Sequence, residues 1–124
     1  MLVKIPVSIG ELYDKISILQ IKLARIGKDK NKEYVTKELY SLLSVAKDNN
    51  IHFESDDLFY ELKAINSGLW VIEEQKRLCE AEKKFDKFFI HLARQVYLKN
   101  DERAALKAKI NEKYNSEIRE VKSY

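Results

Sequence analysis

Ser8-Ile9-Gly10-Glu11-Leu12-Tyr13-Asp14-Lys15-Ile16, running on through Leu19 and Leu23 to Ile26-Gly27, is the stretch that decides the fold. Ser8 and Glu11 have the S-x-x-E form of a capping box, in which each side chain satisfies the other residue's backbone amide. Behind that start, Leu12, Ile16, Leu19, Leu23 and Ile26 recur at spacings of four and three, which lays them along one side of a helix. Gly27 follows at once, where a helix closes most easily with a left-handed residue. The spacing predicts a helix over 9–26.

The same reasoning extends along the chain. Asn31 is placed to cap a second helix over 32–47, with Val35, Leu39, Leu42 and Ala46 as its stripe. Ser55 opens a third over 56–80, carrying Leu58, Leu62, Ile65, Leu69, Ile72 and Cys79. From Phe85 to Ser116 there is no Gly or Pro, so a last helix over 84–116 is predicted, with Asn100-Asp101-Glu102 as a place where it could kink or restart. At 1.5 Å per residue the third helix is roughly 37 Å long. The expectation is an all-α elongated bundle of about four helices in one domain over 1–124, the two long helices forming an antiparallel hairpin.

Composition agrees with helices. Three Gly and one Pro among 124 residues leave little material for the tight turns of a multi-stranded sheet. Net charge is +3, from 23 basic and 20 acidic residues that are interspersed. Nucleic-acid binders concentrate their cations on one face, so nucleic acid is not the expected partner. No run approaches a membrane span, and Met1–Pro6 lacks the pattern of a signal peptide. A cytoplasmic location is expected. Cys79 is the sole cysteine, and neither His52 nor His91 has a zinc-spaced companion, so neither a metal nor a cofactor is expected. Glu11 and Asp14 do form the E-x-x-D spacing by which helical pyrophosphatases hold magnesium, although the capping box already accounts for Glu11.

Polar residues interrupting apolar lines mark the candidate site. On the third helix Asn66, Trp70, Glu73 and Arg77 follow one another at three or four residues, beside the main stripe. On the last helix Asn100 and Arg103 stand where hydrophobes should continue, with Asp101 and Lys107 flanking them. A buried polar group without a partner costs about 1–3 kcal/mol, so these residues either pair internally or line a cavity for an anion. The structural alternative pairs Arg103 with Glu73 or Glu74.

Taken together, Ile5-Pro6-Val7-Ser8-Ile9-Gly10-Glu11-Leu12 with Asp14-Lys15, Leu69-Trp70 with Ile72-Glu73, Val96-Tyr97, Asn100-Asp101, Arg103-Ala104-Ala105-Leu106-Lys107, Ile110-Asn111 and Lys122-Ser123-Tyr124 resemble a small bacterial family designated a domain of unknown function. The resemblance spans nearly the whole chain. It implies an intracellular, single-domain helical protein and no particular activity. It adds Lys15 and Asn111 to Asn100, Asp101, Arg103 and Lys107 as positions of interest.

The sequence is compatible with two functions. The first is a homodimeric interaction module, since helices this long expose more apolar stripe than one chain can cover, with Tyr13, Tyr34, Tyr40, Tyr60, Tyr97 and Phe88 as aromatic anchors. The alternative is a bundle that binds or transforms an anionic small molecule, a phosphate or carboxylate, through Lys15, Asn66, Trp70, Glu73, Arg77, Asn100, Asp101, Arg103, Lys107 and Asn111. Gly68, four residues after Ala64, is expected to mark a close approach to the last helix, because a mid-helix Gly otherwise costs about 1 kcal/mol.

Overall fold

A computed structural model describes residues 1–123; Tyr124, the end of the Lys122-Ser123-Tyr124 motif, lies outside the described residues. Four α-helices make up the fold: α1 (Ile9–Arg25), α2 (Lys32–Asp48), α3 (Asp57–Glu82) and α4 (Lys87–Lys113), with a short 3-10 turn at Phe53–Ser55. No strand occurs among the described residues.

The helix starts show which caps operate. Ser8 Oγ accepts from the Glu11 amide at 3.1 Å, but the Glu11 carboxylate turns to Lys107 instead of closing the box. Asn31 makes no side-chain cap; its amide donates to Asp29 Oδ1 within the turn. Asp56, not Ser55, caps α3 by accepting from the Leu58 amide, which moves the start of that helix by one residue. Asp86 caps α4 through the Phe88 and Phe89 amides, so α4 begins three residues later than the apolar spacing suggests. It then runs without a break past Asn100. Gly27 takes the expected positive φ of 63° after α1.

α1 is the centre of the molecule. It packs against α2 on one side and against α3 and α4 on the other, while α3 and α4 make the most extensive pairing. The two long helices are joined only by residues 83–86 and pack against each other. The core gathers Leu12, Tyr13, Ile16 and Leu19 of α1 with Leu39, Ala46, Phe53, Phe59, Leu62, Leu106 and Ile110. Tyr13 is wholly buried there and is not an exposed anchor; its ring meets Phe53, Phe59 and Tyr114 edge-on at centroid distances of 5.8–6.4 Å.

The close helix approach lies elsewhere than predicted. A Cβ added at Gly68 would meet nothing within 4 Å, so Gly68 is not packed against α4. Gly10 is the contact residue: a Cβ there would lie 2.7 Å from the Lys107 carbonyl oxygen and 2.9 Å from Asn111 Oδ1. A small residue permits close approach only where a second helix is present, and for Gly10 of α1 that helix is α4.

Candidate functional site

The absence of a side chain at Gly10 lets α1 press directly on α4, where the Gly10 amide donates to Asn111 Oδ1 at 2.7 Å. One turn along α1, Asp14 is 1% exposed and receives Arg103 from α4 through Nε at 2.9 Å and through a terminal nitrogen. Asn66 on α3 donates from Nδ2 to Asp14 Oδ1 at 2.9 Å and to Ser17 Oγ at 2.8 Å. Ser17 in turn donates to the Asp14 carbonyl. One buried carboxylate therefore joins three helices. Bidentate, charge-assisted pairs of this kind are the stronger hydrogen bonds. The Asp14 contact raises the Arg103 pKa in spite of burial, which opposes it.

Lys107 stands one turn beyond Arg103 and donates to Glu11 Oε2 and Glu120 Oε2, both at 2.8 Å. Burial works against its charge, yet the two carboxylates prevail and its pKa is raised. Lys107 in return holds Glu120 below the usual carboxylate range. At the base of α3 the Asp56 carboxylate accepts from Tyr13 at 2.8 Å and Tyr114 at 2.7 Å, with Lys113 Nζ at 3.1 Å. Burial there opposes ionisation of Asp56, but these donors, with the Leu58 amide, bring its pKa below normal. Burial and the neighbouring Tyr114 and Asp56 push the Tyr13 hydroxyl far up, so it stays protonated.

Two clefts meet at Arg103. The larger, about 770 Å³, is lined by Tyr97, Asn100, Asp101, Arg103 and Lys107 of α4, by Glu11, and by Glu120 and Lys122 of the C-terminal segment. The smaller, about 450 Å³, is lined by Ile18 and Ile21 of α1, by Asn66, Trp70, Glu73 and Arg77 of α3, and by Arg103. The clefts thus bring together eight of the ten candidate residues. Asn111 is buried beside the larger cleft in its bond to Gly10, and Lys15 is exposed away from both.

The partners differ from the sequence expectation. Arg103 pairs with Asp14 and bonds to Asn100 Oδ1 at 3.3 Å, and neither Glu73 nor Glu74 is its partner. Glu73 pairs with Lys76 and Glu74 with Arg25, whose guanidinium carbon lies 5.8 Å from the Trp70 ring centre. The reason is packing order: α1 lies against both α3 and α4 and presents Asp14 closer to Arg103. Glu11 and Asp14, the E-x-x-D pair, are matched by Lys107 and Arg103. Among the described residues no three His, Cys, Asp or Glu side chains converge as a metal site would need.

Gly10 and Ser17 have no role in the apolar stripe of α1, and Asp14 enters the sequence reading only through its E-x-x-D spacing with Glu11. Their signal is a second line on α1, Gly10, Asp14, Ser17 and Ile21, at spacings of four, three and four beside the apolar one. All four are buried. Asp56 and Tyr114 carried no comparable periodic signal.

Among the described residues every buried side-chain nitrogen and oxygen has a hydrogen-bond partner. In the larger cleft Arg103 is held by Asp14, Lys107 by Glu11 and Glu120, and Lys122 by Asp101. An incoming anion would compete with an intramolecular carboxylate at each cation.

These features define an all-α bundle whose central helix is tied to α4 by ion pairs at Asp14 and Glu11 and to α3 by a hydrogen bond on the same Asp14 carboxylate. The chain belongs to the family of unknown function DUF6165, whose model matches residues 3–124. No curated protein and no solved structure matches it.

Proposed function

We propose that this chain is a homodimeric interaction module, its partner a second copy of itself. The observation that supports this is surface area. The chain exposes 9003 Å² for a mass of 14.6 kDa, whereas a compact monomer of that mass exposes roughly 6,900 Å². Part of the surplus is the extended segment with Leu2, Val3 and Ile5; large apolar side chains also contribute, among them Leu78, Phe88 and Ile90 on the helices and Phe85 in the link between α3 and α4, each more than half exposed. A standard interface removes about 800 Å² from each partner, so the surplus is ample for one. Tyr34, Tyr40, Tyr60 and Tyr97 are also exposed, a residue type enriched at interfaces. The cytoplasm is the compartment we assign to this module, consistent with the lone thiol of Cys79.

The test is solution mass by light scattering or sedimentation at micromolar concentration. The expected result is twice the chain mass of 14.6 kDa. A single-chain mass throughout that range would overturn the reading.

A second reading, binding of a phosphate- or carboxylate-bearing small molecule, is favoured by the convergence of Asn100, Arg103, Lys107 and Lys122 on one cleft. It requires the ligand to displace Glu120, whose side chain is half exposed. Inorganic phosphate and small dicarboxylates should then raise the melting temperature, and the rise should vanish in Lys107→Met.

A further inference from the structure

We infer that the dimer forms through the outer side of the α3–α4 pair, the side turned away from α1, with Val71 and Leu78 of α3 and Phe88 and Leu98 of α4 as its apolar contacts. This rests on the homodimer reading and specifies its surface.

The heights of these residues follow from the Asp14 cluster. Asp14 touches both Asn66 and Arg103, so those two residues stand level on neighbouring helices that run in opposite directions. Five residues up α3 is Val71, and five residues back along α4 is Leu98; the two form one rung. Seven residues further, about 10 Å along the axis, Leu78 comes level with His91, one turn from Phe88. Val71 is 40%, Leu78 58%, Phe88 51% and Leu98 39% exposed. The buried contacts of these helices point elsewhere: Asn66 and Trp70 toward α1, Arg103 and Lys107 toward α1, Cys79 and Leu92 inward.

The lines through these residues are free of charge. On α3 the line reads Val71, Gln75, Leu78; on α4 it reads Phe88, His91, Gln95, Leu98. Spacings of three and four keep each line on one seam, as helices packing side by side require. With 35% of the chain charged, seven adjoining surface positions without a charged residue stand out, and depletion of charge is the compositional mark of an interface core.

The occupant is a second copy because the strip complements itself. It is apolar at both ends with amides between, so a two-fold axis midway along it lays the Val71–Leu98 rung of one chain on the Leu78–Phe88 end of the other and brings the amides together. The same axis sets Lys87, just beyond one end of the strip, opposite Glu102, just beyond the other; Glu82, level with Lys87, is paired with Lys84, and Glu102 has Lys99 beside it on its own helix. Two hairpins joined this way form a four-helix bundle.

The experiment compares solution mass and dissociation on dilution for the full chain and four variants. Val71→Glu with Leu98→Glu should weaken dimerisation at least about 100-fold while the helical circular dichroism is unchanged. Ile90→Glu with Tyr97→Glu, which alters exposed residues outside the strip, should remain dimeric. Lys87→Glu should weaken the dimer several-fold, and Lys87→Glu with Glu102→Lys should restore it; this pair carries the test should the first variant fail to fold. A wild-type dimer that persists in Val71→Glu/Leu98→Glu, or that ignores Lys87→Glu, overturns this surface and leaves the homodimer reading standing. A monomeric wild type overturns both.

Discussion

Asp14 of α1 accepts two hydrogen bonds from the guanidinium of Arg103 on α4, across 89 residues of sequence, and holds Asn66 of α3 on the same carboxylate. The three helices are thereby fixed in register by a group that is itself out of contact with water. Burying a carboxylate is costly, and breaking such a pair by removing one partner typically costs 3–5 kcal/mol, whereas replacing the whole pair can be nearly neutral.

Arg103→Met should therefore destabilise the fold by about 3 kcal/mol, since Asp14 would retain only the Asn66 amide as a side-chain donor. Combining it with Asp14→Asn, which removes the orphaned charge, should recover a good part of that loss. Urea unfolding of the two variants checks this; equal stability of the single variant and the wild type would show that Asp14 does not depend on Arg103.

Gly10→Ala should cost roughly 1–3 kcal/mol, because the new methyl group meets the Lys107 backbone and not a side chain that can turn away. Gly68→Ala should instead add about 0.5–1 kcal/mol, the ordinary helix preference for Ala at an open position. Thermal unfolding distinguishes the two, and a loss of stability in Gly68→Ala would reveal a contact that α4 does not make.

Asp56 should govern part of the acid limb of stability. Its pKa is lowered in the folded chain, so its contribution is present above the unfolded value of about 3.9 and is lost as pH falls through the folded one. Asp56→Ala should cost about 1–3 kcal/mol at neutral pH, by stranding the Tyr13 and Tyr114 hydroxyls and removing the α3 cap. It should also flatten the stability profile below pH of about 4. Denaturant titrations across pH 2–7 measure both effects.

Lys107 behaves in the opposite sense. Its pKa is raised, so its stabilisation is complete below the unfolded value of about 10.4 and declines as pH rises through the folded one. Glu120, its half-exposed partner, should matter little: Glu120→Gln should shift stability by less than about 1 kcal/mol and by still less at high salt. Melting curves at low and high ionic strength check this.

Much of the secondary structure was legible because it is written locally. The repeat of Leu12, Ile16, Leu19 and Leu23, closed by Ser8 and Gly27, places α1 at Ile9–Arg25, within one residue of the predicted end. Where the boundaries slipped, as at Asp56 and Asp86, a carboxylate within two residues of the predicted start took the cap. The polar interruptions at Asn66, Asn100, Arg103 and Lys107 were equally visible, since a charge on an apolar line stands out whatever it contacts.

Which groups those residues would meet was not legible. Arg103 has acids within plausible reach on two helices, and the choice of Asp14 over Glu73 follows from α1 lying against both α3 and α4. Helix periodicity reports that a face is buried, not which helix buries it, and a helix buried on two faces, as α1 is, carries two overlapping lines of which the smaller and more polar is the harder to see. Sequence alone determined the helices, their caps to within a few residues, and the residues needing partners, because these depend on neighbours three or four positions away. Tertiary structure alone decided that Gly10 and not Gly68 is the contact point, and that Asp14 is the carboxylate at the centre, because each depends on the order in which helices distant in the chain pack together.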